Sequence, residues 1–545
     1  MKISGNIVDI ADGSIYAGTI DIADGVIVDI VKDGKSYEHY IIPGFIDSHI
    51  HIESSMLTPA EFARLAVIHG TVATVSDPHE IANILGIKGI RYMMENGNTT
   101  PFKFYFGAPS CVPATPFETS GARIGVAETK TLLQDSNIKY LSEMMNVPGV
   151  IQNDTEVLAK IAIARKYGKP VDGHAPSLSG DALKQYIGAG ITTDHECVEK
   201  TEALEKIGLG MKILIREGSA AKNFEALHSL IEEYPHACMF CSDDKHPDDL
   251  TKGHINALVK RAINKGIDVM KVLRCATLNP ILHYKLDVGF LRINQPADFI
   301  VVDNLLDFNI LKTFIKGDLV AEKGKTYIAQ KTPAPLNRFQ IDKKTPNDFR
   351  MDSQGEKIRV MEAVDGQIIT GSLIEKSLIV NGNTRSDPDH DILKIAVINR
   401  YENKVPAIGF VKNFGLKTGA IASSVAHDSH NIIAVGVSDE AICEAVNLII
   451  ECSGGISLAS YGQQEILPLP VAGIMSDDDG FTVAEKYADL ERAAKKLGSK
   501  FHAPYMTLSF MALLGIPALK LSDKVLFNGE TFSYSELVVE PEKLI

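Results

Sequence analysis

The chain has 545 residues, 45% hydrophobic and 23% charged, with a formal net charge of −14. That balance gives a globular chain ample core material, and its sign argues against nonspecific binding to nucleic acid or to anionic membranes. Trp is absent and aromatic residues make up only 7%, so no base-stacking platform is expected.

Residues 1 to 40 read as short strands broken at Asp12-Gly13, Asp24-Gly25 and Asp33-Gly34, because Asp-Gly between alternating apolar runs is a strong hairpin signal. This segment buries little by itself and predicts pairing with a distant part of the chain. The stretch Ile41 to Met56, IIPGFIDSHIHIESSM, follows. If Ile41 to His51 is a strand, His49 and His51 share a face.

From residue 43 to about 280 the rhythm becomes apolar runs alternating with helical patterns. Strands are predicted at Gly44–Ile50, Thr71–Ser76, Phe102–Phe106, Tyr140–Met144, Pro170–Gly173, Ile191–Asp194, Met211–Arg216 and Ala237–Ser242. Helices are predicted at Pro59–His69, His79–Asn96, Asp154–Tyr167, Gly180–Ala189, Val198–Ile207, Asn223–Glu233 and Asp248–Lys265, with a less distinct one at Val126–Asn137. The count and size fit a TIM-like (β/α)8 barrel at residues 43–280. A doubly wound open sheet is disfavoured because no Gly-rich phosphate loop follows the first strand.

Residues 281–330 return to short strands and are expected to join residues 1–42 in one composite β-sandwich. TPAPLNRF, at 332–339, reads as a linker. Residues 340–545 alternate strands such as KIRVMEAV and IIAVGV with helical patterns at Asp439–Glu451 and Thr482–Leu497, which predicts a separate α/β domain. The N-terminus MKISGNIVDI lacks a basic-then-apolar leader, no apolar run reaches membrane-span length, and seven scattered cysteines predict free thiols. The cytoplasm is the expected compartment.

Residues at the carboxyl ends of barrel strands face a common mouth. Here they are His49, His51, Asp77, His79, Glu143, His174, His195, Arg216, Glu217, Asp243 and Asp244. An isolated H-x-H is more often a strand ending in surface histidines, and any one of the others has an equally plain structural explanation. Their recurrence at separate strand ends points to a metal centre. Four histidines and two carboxylates suffice for two divalent cations bridged by a carboxylate, with a position left for water.

PGFIDSHIHIESSM resembles the first metal motif of the amidohydrolase superfamily, in the form found in bacterial adenine deaminases. TVSDPHEIANILG (74–86), LSEMMNVPGV (141–150), DGHAP (172–176), TTDHE (192–196), IREGSAAKN (215–223), CSDDKHPDDL (241–250), SVAHDSHNIIAVG (424–436) and LPLPVAGIMS (467–476) agree with it in order. The resemblance implies deamination of adenine to hypoxanthine and ammonia at a binuclear centre. His49, His51 and Asp243 would hold one metal, His174 and His195 the other, and Glu143 would bridge them in place of a carboxylated lysine. Mn²⁺ or Fe²⁺ is favoured, with Zn²⁺ an alternative. Hydroxide formed from a metal-bound water would attack C6, Asp243 would shuttle its proton, and Glu143 and His79 complete the expected catalytic set. Glu53, Arg216, Glu217 and Ser219 are the substrate-binding candidates, although Arg216 and Glu217 equally suit a buried ion pair. Asp77 equally suits a helix cap. His427, Asp428 and His430 form a polar cluster that would mark the barrel mouth. Adenine is the expected partner, with neither nucleic acid nor membrane, in a homo-oligomer of two or more copies.

The main rival is another amidohydrolase acting on a cyclic amide or an N-acetyl sugar. A cytidine-deaminase-type zinc site would use His51-Ile52-Glu53 and Cys238-Met239-Phe240-Cys241. It is disfavoured because Ala237 stands where that fold needs Pro, and because positions i and i+3 of a strand point to opposite faces. A purine-binding protein with a purely structural metal site is the non-enzymatic reading.

Overall fold

The computed structural model describes residues 1–539 apart from Pro333 and Gln354, so part of the expected linker lies outside the described residues. Eight short strands follow in chain order: Phe45–Ile50, Thr71–Ser76, Lys103–Phe106, Leu141–Met144, Val171–Gly173, Thr193–Asp194, Lys212–Arg216 and Cys238–Cys241. They pair in parallel as neighbours. Ala108 bridges the third to the fourth, and Thr192 N–H donates to Val171 O at 2.9 Å between the fifth and sixth. The eighth returns to the first, where Asp243 N–H donates to His49 O at 2.9 Å.

Parallel strands covered on both faces read as unbroken apolar or β-branched runs, and Thr71–Ser76, TVATVS, is buried at every position. Cys238–Cys241 shows the alternation underneath. Cys238 and Phe240 enter one apolar cluster, Met239 and Cys241 another. The two thiols therefore diverge, as the strand period requires, and do not form the pair that the cytidine-deaminase reading needs.

Some helices are shorter than their patterns predict, and glycine marks two of the breaks. The pattern from His79 to Asn96 is two helices, His79–Leu85 and Ile87–Gly97, because Gly86 adopts a φ of +59° that cannot continue a helix. The pattern from Asp248 to Lys265 likewise divides at Gly253 into Pro247–Lys252 and Ile255–Asn264. The helix Leu278–Tyr284 runs past the expected change of rhythm at 281.

Both flanks of the eight-strand region meet in one further sheet. Its order is Lys325–Thr326, Asp318–Glu322, Ile310–Ile315, Phe299–Val302, Tyr40–Pro43, Lys2–Asp9, Ser14–Ala23 and Val26–Lys32. The join is antiparallel, with Phe299 opposite Pro43 and Val302 opposite Tyr40. The hairpin between the last two strands turns on Asp24 and Gly25, both at positive φ.

The C-terminal part is built on a mixed eight-stranded sheet with the helix Asp439–Cys452 packed on it. One apolar cluster runs through both parts, from Ile50, Leu57 and Val75 to Val435, Leu458 and Tyr487. Arg64 donates to Asp479 at 2.5 Å, and Glu61 accepts from Gly480 N–H at 3.0 Å across the same junction. Among the described residues no helix is long and apolar enough to cross a membrane.

Candidate metal centre

His49 and His51 leave the first strand buried, with their Nε2 atoms 3.2 Å apart. His51 Nδ1 lies 3.2 Å from the carbonyl oxygen of Asp77. A carbonyl only accepts, so Nδ1 carries a proton and Nε2 is the ring atom left to face the inside of the site. Glu143, at the end of the fourth strand, divides its oxygens between two histidine pairs. Oε1 lies 3.3 Å from His51 Nε2 and 3.5 Å from His79 Nδ1. Oε2 lies 2.9 Å from His174 Nδ1 and 3.2 Å from His195 Nε2. Asp243 closes the group, with Oδ1 at 3.1 Å from His51 Nε2 and 3.5 Å from His49 Nε2.

All six expected ligands are thus brought together. The donor set suits divalent cations: His49, His195 and Asp243 offer ligand atoms within 4.8 Å of one another, as do Glu143, His174 and His195. Converging imidazole lone pairs and two buried carboxylates need a cation or protons between them. Burial favours the neutral forms of Glu143 and Asp243. The histidines around Glu143, and Arg216 beside Asp243, outweigh it and hold both carboxyls well below the usual range.

Glu196 is the ligand-shell residue that strand reasoning missed. The sixth strand stops at Asp194, so strict alternation no longer applies and both His195 and Glu196 turn to the mouth. Glu196 Oε1 is 3.3 Å from His195 Nε2 and 3.4 Å from His174 Nδ1. Arg216 grips Glu196 at 2.5 and 2.9 Å and Asp243 at 2.6 Å. It lines the cavity as expected, but these two carboxylates engage its guanidinium.

The other substrate-binding candidates do not line the cavity. Glu53 accepts the backbone N–H of Ile81 at 3.1 Å, and burial pushes its carboxyl up to about 7. Glu217 pairs with Arg261 at 2.9 Å. Ser219 donates to Asp249 at 2.7 Å and accepts from His246 N–H at 2.9 Å. The seventh strand ends at Arg216, and these contacts draw the following turn toward the eighth-strand loop. His79 does line the cavity, held by Asp77 at 3.1 Å. Asp77 Oδ1 also accepts the His79 backbone N–H at 3.1 Å, the capping contact foreseen for it.

Two buried networks fix the ligand loops. Asp47 accepts from Ser242 N–H at 3.1 Å and from His254 Nε2 at 2.8 Å, tying the first strand to the eighth. Lys206 donates to Asp194 at 2.9 Å, Glu202 at 2.6 Å and the carbonyl of Ala175 at 2.7 Å. It thereby joins the loops that carry His174 and His195. The cavity above the expected ligands has a volume of about 40 Å³, and its far wall comes from the C-terminal part, including Ile368, His427, Asp428 and Phe510.

The Amidohydrolase family model matches residues 40–320, the span that holds this strand-end histidine and carboxylate constellation. The chain belongs to the amidohydrolase family. The Adenine deaminase C-terminal domain model matches residues 367–533. The adenine deaminase of Salinibacter ruber is 53% identical over 541 residues, spanning 99% of each chain. That of Sulfurovum sp. is 55% identical over 535 residues, spanning 98% of this chain and 99% of its own. Within the amidohydrolases, the chain is a member of the adenine deaminase family. Among solved structures, N-acetyl-D-glucosamine-6-phosphate deacetylase from Mycobacterium smegmatis is 15% identical with a TM-score of 0.47, covering 59% of this chain and 100% of that one.

Proposed function

We propose that the protein hydrolyses adenine to hypoxanthine and ammonia. The observation that carries this reading is the division of Glu143 between two histidine pairs at the floor of a cavity, in a chain of the adenine deaminase family. His49, His51 and Asp243 would hold one divalent cation, His174 and His195 the other, with Glu143 between them. Mn²⁺ or Fe²⁺ is the favoured occupant. Bound there, the pair would supply a water of lowered pKa and polarise the group under attack.

The protein's own groups then handle the protons. Asp243 Oδ1 faces the ligand histidines, while Oδ2 is engaged by Arg216. It takes the proton released as water adds to C6 and returns it to the 6-amino group, which leaves as ammonia. With a carboxyl held so low, Asp243 carries that proton only transiently. We assign protonation of the ring nitrogen beside C6 to His79, which lines the cavity with Nε2 3.6 Å from Asp428 Oδ1 and regains a proton from the C6 hydroxyl as the carbonyl forms. One water is consumed, the C6–N bond breaks and a C6–O bond forms.

We read the scaffold as a (β/α)8 barrel at 43–280, a β-sandwich from 1–42 with 281–330, and a C-terminal α/β domain at 340–545. The parallel strand pairings support the barrel, and the single composite sheet supports the joining of the two flanks into one unit. The free cysteines support a reducing compartment such as the cytoplasm. The deciding experiment is ammonia release from adenine after Mn²⁺ or Fe²⁺ reconstitution, with adenosine and cytosine as controls. Adenosine preferred over adenine overturns the substrate assignment.

A further inference from the structure

Glu80 lies on the cavity wall, 1% exposed, and both of its carboxylate oxygens meet imidazoles from the C-terminal domain. His427 reaches Oε1 through Nδ1, and His430 reaches Oε2 through Nε2. For His430 the direction is fixed. Its Nδ1 accepts the backbone N–H of Ala426 at 3.2 Å, so the ring proton sits on Nε2 and is donated to Glu80. The loop bearing both rings is anchored in turn. His430 N–H donates to Ala426 O at 2.8 Å, Arg400 donates to the His430 carbonyl at 3.4 Å, and the Tyr401 hydroxyl donates to Ser429 O at 2.5 Å.

A buried carboxylate stays ionised only when charge and hydrogen bonds replace its water. Among the described residues Glu80 pairs with histidines alone, the third being His79 at 3.5 Å. Burial alone favours the neutral acid; the charge of His427, whose pKa is raised to about 9, together with the Nε2–H hydrogen bond from the His430 ring, outweighs it. An ionised carboxylate has about four acceptor sites. Two are taken, which leaves each oxygen able to accept from a ligand in the cavity.

We propose that His427 and His430 are positioning residues with which the C-terminal domain holds Glu80 as an ionised acceptor for the N–H groups of the purine. This rests on the deaminase reading and extends it: substrate recognition is assembled jointly by the barrel and the C-terminal domain. Adenine offers such donors at its 6-amino group and on its five-membered ring, and a fixed carboxylate complements them.

The test uses the manganese-loaded full chain. Replacing Glu80→Gln, His427→Leu or His430→Leu should raise KM for adenine about tenfold or more, the range for losing a hydrogen bond to a charged group. The change in kcat should be smaller, and metal content should not change. His430→Gln and His427→Asn return a donor near the lost Nε2 and Nδ1 and should restore most of the affinity. In the Glu80→Gln background, His430→Leu should add less than about twofold, because coupled residues are not additive. KM unmoved in Glu80→Gln overturns the proposal, as does equal impairment in the leucine and amide variants, or metal loss in each. Should a leucine variant fail to fold, Glu80→Gln and the two amide variants decide. No ammonia from adenine with the unaltered protein refutes the deaminase reading itself. Ammonia with KM unmoved in Glu80→Gln refutes only this inference.

Discussion

Lys206 is fully buried and makes no contact with water, yet it holds two ligand loops together. Its ammonium donates to Asp194, Glu202 and the Ala175 carbonyl, while Asp194 accepts Ala175 N–H at 2.8 Å and the Cys197 thiol at 3.1 Å. Burial opposes the charged lysine and the charge of Asp194 outweighs it, so the pKa of Lys206 is raised. Lys206→Met preserves the stem and removes the charge. Asp194, also fully buried, then keeps two of its hydrogen bonds and loses its counter-charge. Breaking a buried pair from one side costs about 3–5 kcal/mol, on the order of 10 °C in the melting of a domain this size. The double variant Lys206→Met/Asp194→Asn removes the fully buried unpaired charge, leaving only the partly exposed Glu202 without its cation, and should melt above the single one. Differential scanning fluorimetry reads both, and chelator titration should show faster metal loss from Lys206→Met as His174 and His195 loosen. A single variant melting within about 2 °C of the unaltered protein would refute the reasoning.

Asp243→Asn should abolish ammonia release while metal content, measured by atomic emission, stays largely intact; near-normal turnover would remove Asp243 from its role. Stripping the metals should end turnover and lower the melting temperature, since the bound ions stabilise the folded state by mass action, and Mn²⁺ or Fe²⁺ should restore both. Glu491 is pushed from 4.5 up to about 7, chiefly by burial and then by the charge of Asp248. Its folded pKa lies above the unfolded one, so stability is full below about pH 4.5 and declines until about pH 7. The loss is at most about 3 kcal/mol. Glu491→Gln should therefore melt higher than the unaltered protein at pH 8 and alike near pH 4; parallel melting curves at all pH values would contradict this.

The clustering of the expected ligands was legible because strand alternation is local: His49 and His51 lie two apart, and a strand end fixes where they point. Glu196 was not, because the sixth strand is only Thr193–Asp194 and its end releases the next residue from alternation. Glu217 and Ser219 stand next to the cavity in sequence, but their acceptors and donors lie on Arg261, Asp249 and His246. Such partners are invisible to a reading of neighbouring residues. The pairing of residues 1–40 with 299–326 was legible from matching strand style. The breaks at Gly86 and Gly253 were present in the sequence as glycines inside helical patterns. The polar cluster at 427–430 read as a marker of the barrel mouth, but its contact with Glu80 spans some 350 positions and no local pattern encodes it.

The antiparallel join of Tyr40–Pro43 to Phe299–Val302 has a consequence for biosynthesis. The first strand of the barrel emerges from the ribosome beside a segment whose sheet partner is still unsynthesised. The first two hairpins can form locally, but the edge at Tyr40 waits until the whole barrel sequence has been translated. Barrel closure itself waits for Asp243 to meet His49. Glu80 then waits longer still, since its partners arrive at His427 and His430. A nascent chain therefore acquires its metal ligands, its sealed sheet and its complete cavity in that order. A product terminated between residues 326 and 427 would carry the expected ligands and the sealed sheet but lack part of the pocket wall, so release in that interval should yield proteins that bind metal without competent turnover.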